Sequence, residues 1–594
     1  MEEQVKTAVH KTSPEDRIKF SQLAAYGAGG IIPIALFNIA GILVGLMGNI
    51  SLGLSAFWLG VILIIPRLWD AVSDPIIGHI SDNTRTRFGR RRPFLLIGGI
   101  LVAVFFVVMW WIPKGETVHG WFPTEAGFQA FQLVYILIAL LLFYTSTTIF
   151  EIPHGALGME MTSDYHERTR LFSAKSFVGN LFAMSTPWLF ALANMEIFRG
   201  VGGNEADGMR YVSLMIAALI IPLSFWWTYK LREPGFVRVV KQEKSPFWKD
   251  MKHAAGNRNF LMLTFTIFTL AMGFNFVQLL GSYIPIFYVF GGDKVAGAYL
   301  LGINGTIWAV TGVLAVFPLN WISPKLGKRN TLVIAILLMV LAQLSKIVCY
   351  NPDYPYLIII PTMLLSAGML FFFTLGSSMV GDICDEDDLK TGKRTEGSFY
   401  SIFWWFIKMG TALASFVAGL LIVLTMFDET QVTKVDALQG SIRELRKEVQ
   451  ANTGKGSQEV SLSDFLQKAQ TKSSELMKHL EEKAASDKHN KEHFDALLQN
   501  MSGVNQRIAG LDLSSSKESL DNEISGIEND ITQLTIQSPF TLLMMRIVEI
   551  GLPVLLSLLS IFFVLRYSLT EKRSHEIKEL LKKRNEEISM GTND

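Results

Sequence analysis

FSQLAAYGAGGIIPIALFNIAGILVGLMGNISLGLSAFWLGVILIIP, residues 20–66, runs for 47 positions without one Asp, Glu, Lys or Arg. About 20 apolar residues cross the hydrocarbon of a bilayer, so this stretch predicts two membrane spans joined by a short turn. The whole 594-residue chain has the same character. Half of it is AVILMFWYC and 18% is charged, against about 25% charged in an average soluble domain. The composition therefore predicts an all-α polytopic membrane protein. Two cysteines exclude a disulfide scaffold, and a net charge of +1 argues against a nucleic-acid partner. The first nineteen residues are polar and mixed in charge, unlike a cleavable signal.

Hydropathy places twelve helices at about 21–47, 53–80, 94–113, 131–158, 175–196, 209–230, 260–291, 296–321, 331–350, 355–380, 398–427 and 539–566. Alternate short loops are basic: Arg85, Arg87 and Arg90–Arg92, then Arg168 and Arg170, then Lys230 through Arg258, then Lys325, Lys328 and Arg329, then Lys390, Lys393 and Arg394. The opposite loops carry little beyond Lys114, Arg199, Arg210, Lys294 and Lys346. Positive residues stay in the cytoplasm, which predicts both termini inside. The expected domains are a tail (1–20), a six-helix bundle (21–230), a central cytoplasmic loop (231–258) and helices seven to eleven (259–427). An insertion (428–537), a twelfth helix (538–567) and a cytoplasmic tail (568–594) follow. SDNTRTRFGRRRP after the second helix and SPKLGKRN after the eighth share a turn Gly followed by basic residues. Such a repeat suggests two pseudo-symmetric halves.

Residues 428–537 hold 32 of the chain's 107 charged residues, nearly double the density elsewhere. Val435, Leu438, Ile442, Leu445 and Val449 recur at spacings of three and four. So do Leu520, Ile524, Ile527, Ile531 and Leu534, and more loosely Leu462, Phe465, Ala469, Leu476 and Leu480. That is the seam of a short coiled coil, so a helical hairpin or small bundle is expected on the non-cytoplasmic side. It serves either as a solvated spacer or as the docking module of an extracytoplasmic protein partner.

A charged group near the bilayer centre costs about 2.5–3.5 kcal/mol on insertion scales, so each is a functional candidate. RLWDAVSDP sets Asp70 and Asp74 four apart on one helix face. Two carboxylates there repel unless a cation or proton sits between them; alternatively, Arg67 neutralises Asp70. TSTTIFEIPHG in the fourth helix adds Thr148 and Glu151, with His154 either a proton relay or a packing residue. Lys408 in SIFWWFIKMG is a lone intramembrane cation suited to balancing the acidic set. Trp404 offers a flat face for a sugar ring, while Trp405 fits that role or a lipid-facing belt. Asn275, Gln278 and Asn304 suit a hydroxyl-rich ligand or join helices. GDICDEDDLKTGKRTEG places Asp382, Asp385 and Glu396, with Arg394 among them, where ion pairs from the acidic group to Arg85, Arg90 and Arg91 would close a cytoplasmic gate. Solvated loop charge is the alternative. No nucleophile–base pair, metal-spaced His/Cys set or phosphate loop points to an enzyme.

RLWDAVSDPIIGHISDNTRTRFGRRRP, EIPHGALGMEMTSDYHERTRL, GDICDEDDLKTGKRTEGSFYS and IKMGTALASF together resemble the glycoside–pentoside–hexuronide cation symporters, relatives of melibiose permease in the major facilitator superfamily. The resemblance runs across all twelve helices. It implies alternating-access uptake of a sugar with Na⁺, Li⁺ or H⁺ and no other cofactor. By this likeness Asp70, Asp74 and Thr148 hold the cation, with the aspartates as metal ligands if it is Na⁺. Glu151 links cation to sugar, and Lys408 lies beside them. The substrate-binding candidates are Glu151, His154, Lys175, Asn275, Trp404 and Lys408. Three positions depart from melibiose permease. Its first-helix Asp falls on Gly30, its fourth-helix Trp on Gly155 and its fifth-helix Arg on Ser176, next to Lys175. Two glycines in these places imply a roomier cavity and a different glycoside; the insertion has no counterpart. The sequence thus predicts a small-molecule symporter in contact with membrane lipid. A lysolipid carrier of the same fold and a partner-binding sensor platform are the rivals.

Overall fold

The computed structural model describes residues 17–590, except 38, 41–43, 45–47, 49–51, 53, 55, 115, 186–188, 190–191, 194, 201–204, 235–246, 282, 452–458, 488–489 and 514–515. The far part of the first expected span, much of the central loop and the Gln278 side chain fall outside the described set. The described residues form helices throughout, with one isolated bridge between Thr86 and Gly89.

We number the principal helices α1 (Phe20–Ala28), α2 (Ala56–Asn83), α3 (Arg92–Trp110), α4 (Glu125–Glu160), α5 (Tyr165–Ala183) and α6 (Glu205–Lys230). Next come α7 (Arg258–Leu280), α8 (Lys294–Leu314), α9 (Val316–Cys349), α10 (Ile359–Thr391) and α11 (Glu396–Leu424). Four helices of the insertion follow: α12 (Glu429–Ala451), α13 (Glu459–Ser486), α14 (Lys491–Ala509) and α15 (Lys517–Gln533). The last are α16 (Pro539–Leu565) and α17 (Glu571–Met590). Among the described helices, α3, α4, α6, α7, α9, α10 and α16 contain segments long and apolar enough to cross a bilayer. Buried charge lies on α2, α4, α5 and above all on the end of α10, with Glu396 at the start of α11. α9 is two helices joined at Gly327, whose φ of +76° turns the chain.

Two symmetry marks stand out. α1 and α7 each run on into a π-helical turn, Ile31–Leu36 and Ile284–Val289, built on the matching triplets Ile32-Pro33-Ile34 and Ile284-Pro285-Ile286. Proline lacks the N–H that an α-helical turn requires, so both halves loosen at the same motif. The second mark is the glycine pair Gly89 (φ +111°) and Gly327, each followed by a basic residue that is buried, Arg90 and Lys328. Here the structure agrees with the repeat expected from the loop sequences.

The halves meet where α2 packs on α11 and where α5 packs on α8, α9 and α10. The α2–α11 crossing is reciprocal: a Cβ on Gly78 would lie 2.6 Å from the Gly397 carbonyl, and one on Gly397 2.7 Å from that of Gly78. Only glycine allows two backbones so near. Ile18 donates to Glu167 at the start of α5, and α17 packs beside the same end. Ile18 and α17 therefore lie on the face that carries the basic turns, the basic face; the insertion marks the other.

Several boundaries differ from expectation. α5 begins at Tyr165, so Arg168 and Arg170 are helical rather than in a loop. α10 runs to Thr391, where the left-handed Gly392 ends it, so the acidic GDICDEDD lies on a buried helix and not in solvated loop. Hydropathy misses such turns because paired charges look like solvent-facing ones. The expected loop at 231–258 contains a helix, Phe247–Gly256.

The insertion is a four-helix bundle. α12 packs on α13 and α15, and α14 on α13 and α15, around a common core that includes all the seam residues named above except half-buried Phe465. α14 adds Phe494, Leu497, Met501, Val504 and Ile508, whose spacings of 3, 4, 3 and 4 are equally regular. The neck is stapled: the Asp428 amide donates to Gln537 (3.0 Å), and Gln431 donates to the carbonyls of Leu534 (2.6 Å) and Ile536 (3.2 Å). With a closed apolar core of its own, the segment 428–537 should fold in isolation. Ile527→Ala, at a fully buried position, should lower its unfolding free energy by about 2–5 kcal/mol. Urea denaturation followed by circular dichroism checks both; a helical but non-cooperative segment would contradict them.

Candidate functional site

Among the described residues, a cluster on α2, α4 and α11 brings charge from both halves together between the apolar helices. α2 presents Asp70 and Asp74 from adjacent turns, 1% and 0% exposed, and α11 presents Lys408 from across the seam. The Lys408 Nζ donates to Asp70 Oδ2 at 3.0 Å and to Asp74 Oδ2 at 2.7 Å. Thr148 of α4 donates its hydroxyl to the other Asp74 oxygen at 2.9 Å. Asp70 Oδ1 is buried without a hydrogen-bond partner among the described residues, as is the Ser73 hydroxyl between the two aspartates. A buried carboxylate oxygen without a donor is costly, so this corner is unsatisfied by protein groups alone. Arg67 does not neutralise Asp70 by an ion pair; it is exposed, with its guanidinium over the Phe37 ring.

Glu151 lies one turn from Thr148, buried, with Lys175, Lys408, Asp74 and Asp70 as its charged neighbours. Lys175 donates to the Tyr400 hydroxyl of α11 at 3.2 Å, a second polar tie across the seam. Trp404 is half-buried, its indole stacked parallel to Phe373 and its N–H without a partner among the described residues.

Other expected ligand residues are engaged elsewhere. His154 is fully buried, stacked between Tyr26 and Phe150, with Nε2 against the Tyr26 carbonyl at 3.1 Å. In this structure it is engaged as a packing residue, the second of the two roles open to it. Asn275 donates to the Thr411 carbonyl (2.7 Å) and so joins α7 to α11. The roomier cavity expected beside Gly30 and Gly155 is absent. A Cβ at Gly30 would stand 2.3 Å from the Lys175 carbonyl, and one at Gly155 2.0 Å from the Tyr400 ring. These glycines admit a neighbouring backbone and an aromatic ring, not a ligand. Ser176 meets the Thr374 hydroxyl of α10 at 3.0 Å.

Towards the basic face two ion-pair clusters close the seam. In the first, Arg90 bonds Glu396 (2.7 Å) and Glu160 (3.1 Å), and Arg91 bonds Asp82 (2.9 Å), Glu160 (3.1 Å) and Glu396 (3.2 Å). Arg394 joins Glu396 at 2.6 Å. Asp82 also accepts the Gly397 and Ser398 amides at the start of α11, where a helix favours negative charge. In the second cluster, Arg168 pairs with Asp382 and with Asp385 (2.5 Å), and Lys328 with Asp382 (2.6 Å). Of the residues expected to gate, Glu396 meets Arg90 and Arg91 across the halves, whereas Asp382 and Asp385 meet Arg168 and Lys328 instead of the arginine turn, and Arg394 pairs with Glu396 of its own half. Arg85 sits half-buried in the turn beside them.

The sequence reading left out Asp82, Glu160, Tyr400 and Glu233. Glu233 accepts the amides of Arg90, Arg91 and Arg92 at 2.8–3.0 Å, capping α3. Only Asp82 and Glu160 carried a legible signal, each an acid at the end of an apolar span beside a basic turn.

The family model described as "MFS/sugar transport protein" matches residues 25–445. The isoprimeverose transporter of Lactiplantibacillus pentosus is 26% identical over 62% of this chain and 73% of its own. The "Uncharacterized symporter sll1374" of Synechocystis sp. is 25% identical over 69% and 87%. Among solved structures, a bacterial homologue of the iron transporter ferroportin in an outward-facing state aligns with a TM-score of 0.54 at 11% identity, over 68% of this chain and 93% of its own. That likeness concerns the fold alone.

Breaking a buried ion pair from one side costs about 3–5 kcal/mol. Glu396→Gln, which leaves Arg90 and Arg91 sharing Glu160 and Asp82, should therefore loosen the basic face. Cys384 on α10, 6% exposed, is a native reporter. In a Cys349→Ser background its alkylation by a membrane-permeant maleimide should accelerate at least fivefold, whereas an unchanged rate would show that these pairs do not hold the mouth shut.

Proposed function

The chain belongs to the MFS/sugar transport protein family, and from that premise we propose that it is a multi-pass inner-membrane symporter bringing a sugar or glycoside into the cell with a cation. The family is one of transporters rather than enzymes and needs no cofactor beyond the coupling ion. The observation that carries the reading is the Lys408 ammonium shared by Asp70 and Asp74 across the seam, with one Asp70 oxygen left without a donor among the described residues.

The mechanism follows from charge balance. Two aspartates against one lysine leave a net negative corner, with Glu151 adjacent. A Na⁺ or a proton arriving there completes the charge and competes with Lys408 for the same oxygens. Asp70, Asp74 and Thr148 supply hard oxygens suited to Na⁺, which favours sodium over the proton. Neutralised, the corner releases its hold on α11, and the halves are free to rock about the seam. Glu151 and Lys175, reaching toward the same space, connect cation occupancy to substrate hydroxyls; Trp404 supplies an apolar face for the sugar ring. Reciprocity of binding requires that sugar also tightens the cation.

In this reading the basic face is cytoplasmic by the positive-inside rule, so both termini lie inside and the bundle at 428–537 lies outside. The twelve-span division into two six-helix halves belongs to the same proposal. The closed ion-pair clusters then mark a state shut to the cytoplasm. A lysolipid carrier is less well supported, because the space beside Gly30 and Gly155 that recommended it is filled.

Counterflow in proteoliposomes with a panel of mono- and disaccharides and glycosides, with and without sodium, tests the proposal. At least one sugar should exchange, and sodium should raise its exchange. Exchange of lysolipid with no sugar exchanging at all would overturn it.

A further inference from the structure

Outside the membrane interior, three potential metal ligands converge at the basic face. His166 stands in the first turn of α5, and Glu571 and His575 stand one turn apart on α17, where i and i+4 share a face. His166 Nε2 lies 3.1 Å from Glu571 Oε1, without hydrogen-bond alignment. His575 Nε2 lies 3.8 Å from the same oxygen. One donor atom from each residue falls within 4.8 Å of the other two. Ligand atoms about 2.0–2.2 Å from a tetrahedral Zn²⁺ stand roughly 3.3 Å apart, so small side-chain rotations close the set. The three side chains are 11%, 28% and 15% exposed, shielded yet reachable from solvent.

We propose that His166, Glu571 and His575 form a three-ligand site for a transition cation of the Zn²⁺ class, whose occupation holds the basic face closed. Two imidazoles with one carboxylate suit Zn²⁺ and its first-row neighbours; Mg²⁺ and Ca²⁺ prefer all-oxygen sets. The register of α17 is fixed independently of the metal. Lys578 pairs with Asp164 at the start of α5 (2.9 Å), and Arg584 with Asp388 at the end of α10 (2.8 Å). The terminal helix is therefore a strap from one half to the other. The Gly327 turn adjoins it as well: a Cβ there would be 3.4 Å from Glu571 Oε2. A cation joining His166 to α17 strengthens the strap on the α5 side, which must let go when the halves part. The locking clause rests on the transporter reading; the binding clause does not.

The test uses full-length, tag-free protein in detergent, titrated calorimetrically with ZnCl₂ and, separately, MgCl₂. Wild type should bind one equivalent of zinc saturably and should not respond to magnesium. The His166→Gln/His575→Gln variant should bind at least 100-fold more weakly, and His575→Gln alone at least tenfold. Melting temperatures without metal establish that each variant folds; should the double variant not fold, the single variant decides. Wild-type zinc affinity retained in the folded variants, or no saturable zinc binding by wild type, would overturn the site. Micromolar zinc on the inner side should slow counterflow in wild type and not in the variants. Counterflow equally insensitive in both would refute the lock while leaving the binding result standing, and an absence of all counterflow would count against the transporter reading alone.

Discussion

A charge buried in hydrocarbon must meet its opposite, and this chain satisfies that constraint along the seam between its halves. Lys408 against Asp70 and Asp74 is the deepest instance. Arg90 and Arg91 against Glu160 and Glu396, and Arg168 and Lys328 against Asp382, are the others. The pairs join side chains from opposite halves or gather around one that does, so the fold's electrostatic satisfaction depends on how the halves are docked. A protein whose buried charges are paired within rigid elements has no reason to move. In the proposed mechanism, parting the halves exposes the pairs, and the coupling cation takes over part of their work.

The end of α10 shows how far this goes. Five acidic side chains in succession find partners on different elements: Asp382 on α5 and the Gly327 turn, Asp385 on α5, Glu386 on α7, Asp387 on the helix before α7, and Asp388 on α17. A single helix end thereby senses both halves, the central connection and the terminal strap. Isolated surface pairs are worth little, but these are nearly all buried, where loss of one partner is expensive. The far side is built differently. There Lys346 of α9 pairs with Glu549 of α16 inside one half, with the Tyr350 hydroxyl donating to the same carboxylate. That fixes α16 in place although 110 residues of insertion separate it from α11.

Much of this was legible in the sequence because it is a matter of period and charge. Uncharged runs near twenty residues marked the chain as all-helical and membrane-spanning, with seven of the described helices long and apolar enough to cross a bilayer, and three–four spacing gave the insertion's seams. Asp70, Asp74, Thr148 and Lys408 stood out as polar groups with no business in lipid. Their mutual contact now rests on distances. What hydropathy hid was the depth of paired charge: Arg168, Asp382 and Asp385 read as loop residues because a scale scores each side chain alone. Glycine was ambiguous for a related reason. Gly30 and Gly155 looked like vacant pocket, but a missing side chain can equally admit a neighbour, and here Lys175's backbone and the Tyr400 ring use the room. Phe494, Leu497, Met501, Val504 and Ile508 were as periodic as their partners but lacked a flanking membrane span to draw attention.

The most direct examination of the central claim is the cation dependence of substrate binding by purified protein, wild type against Asp74→Asn, with the sugar identified by exchange. In wild type the coupling cation should tighten sugar at least tenfold. In the variant, where the amide keeps the shape but removes one charge beside Lys408, sugar affinity should no longer respond to the cation. The same cation response in both proteins would contradict the account.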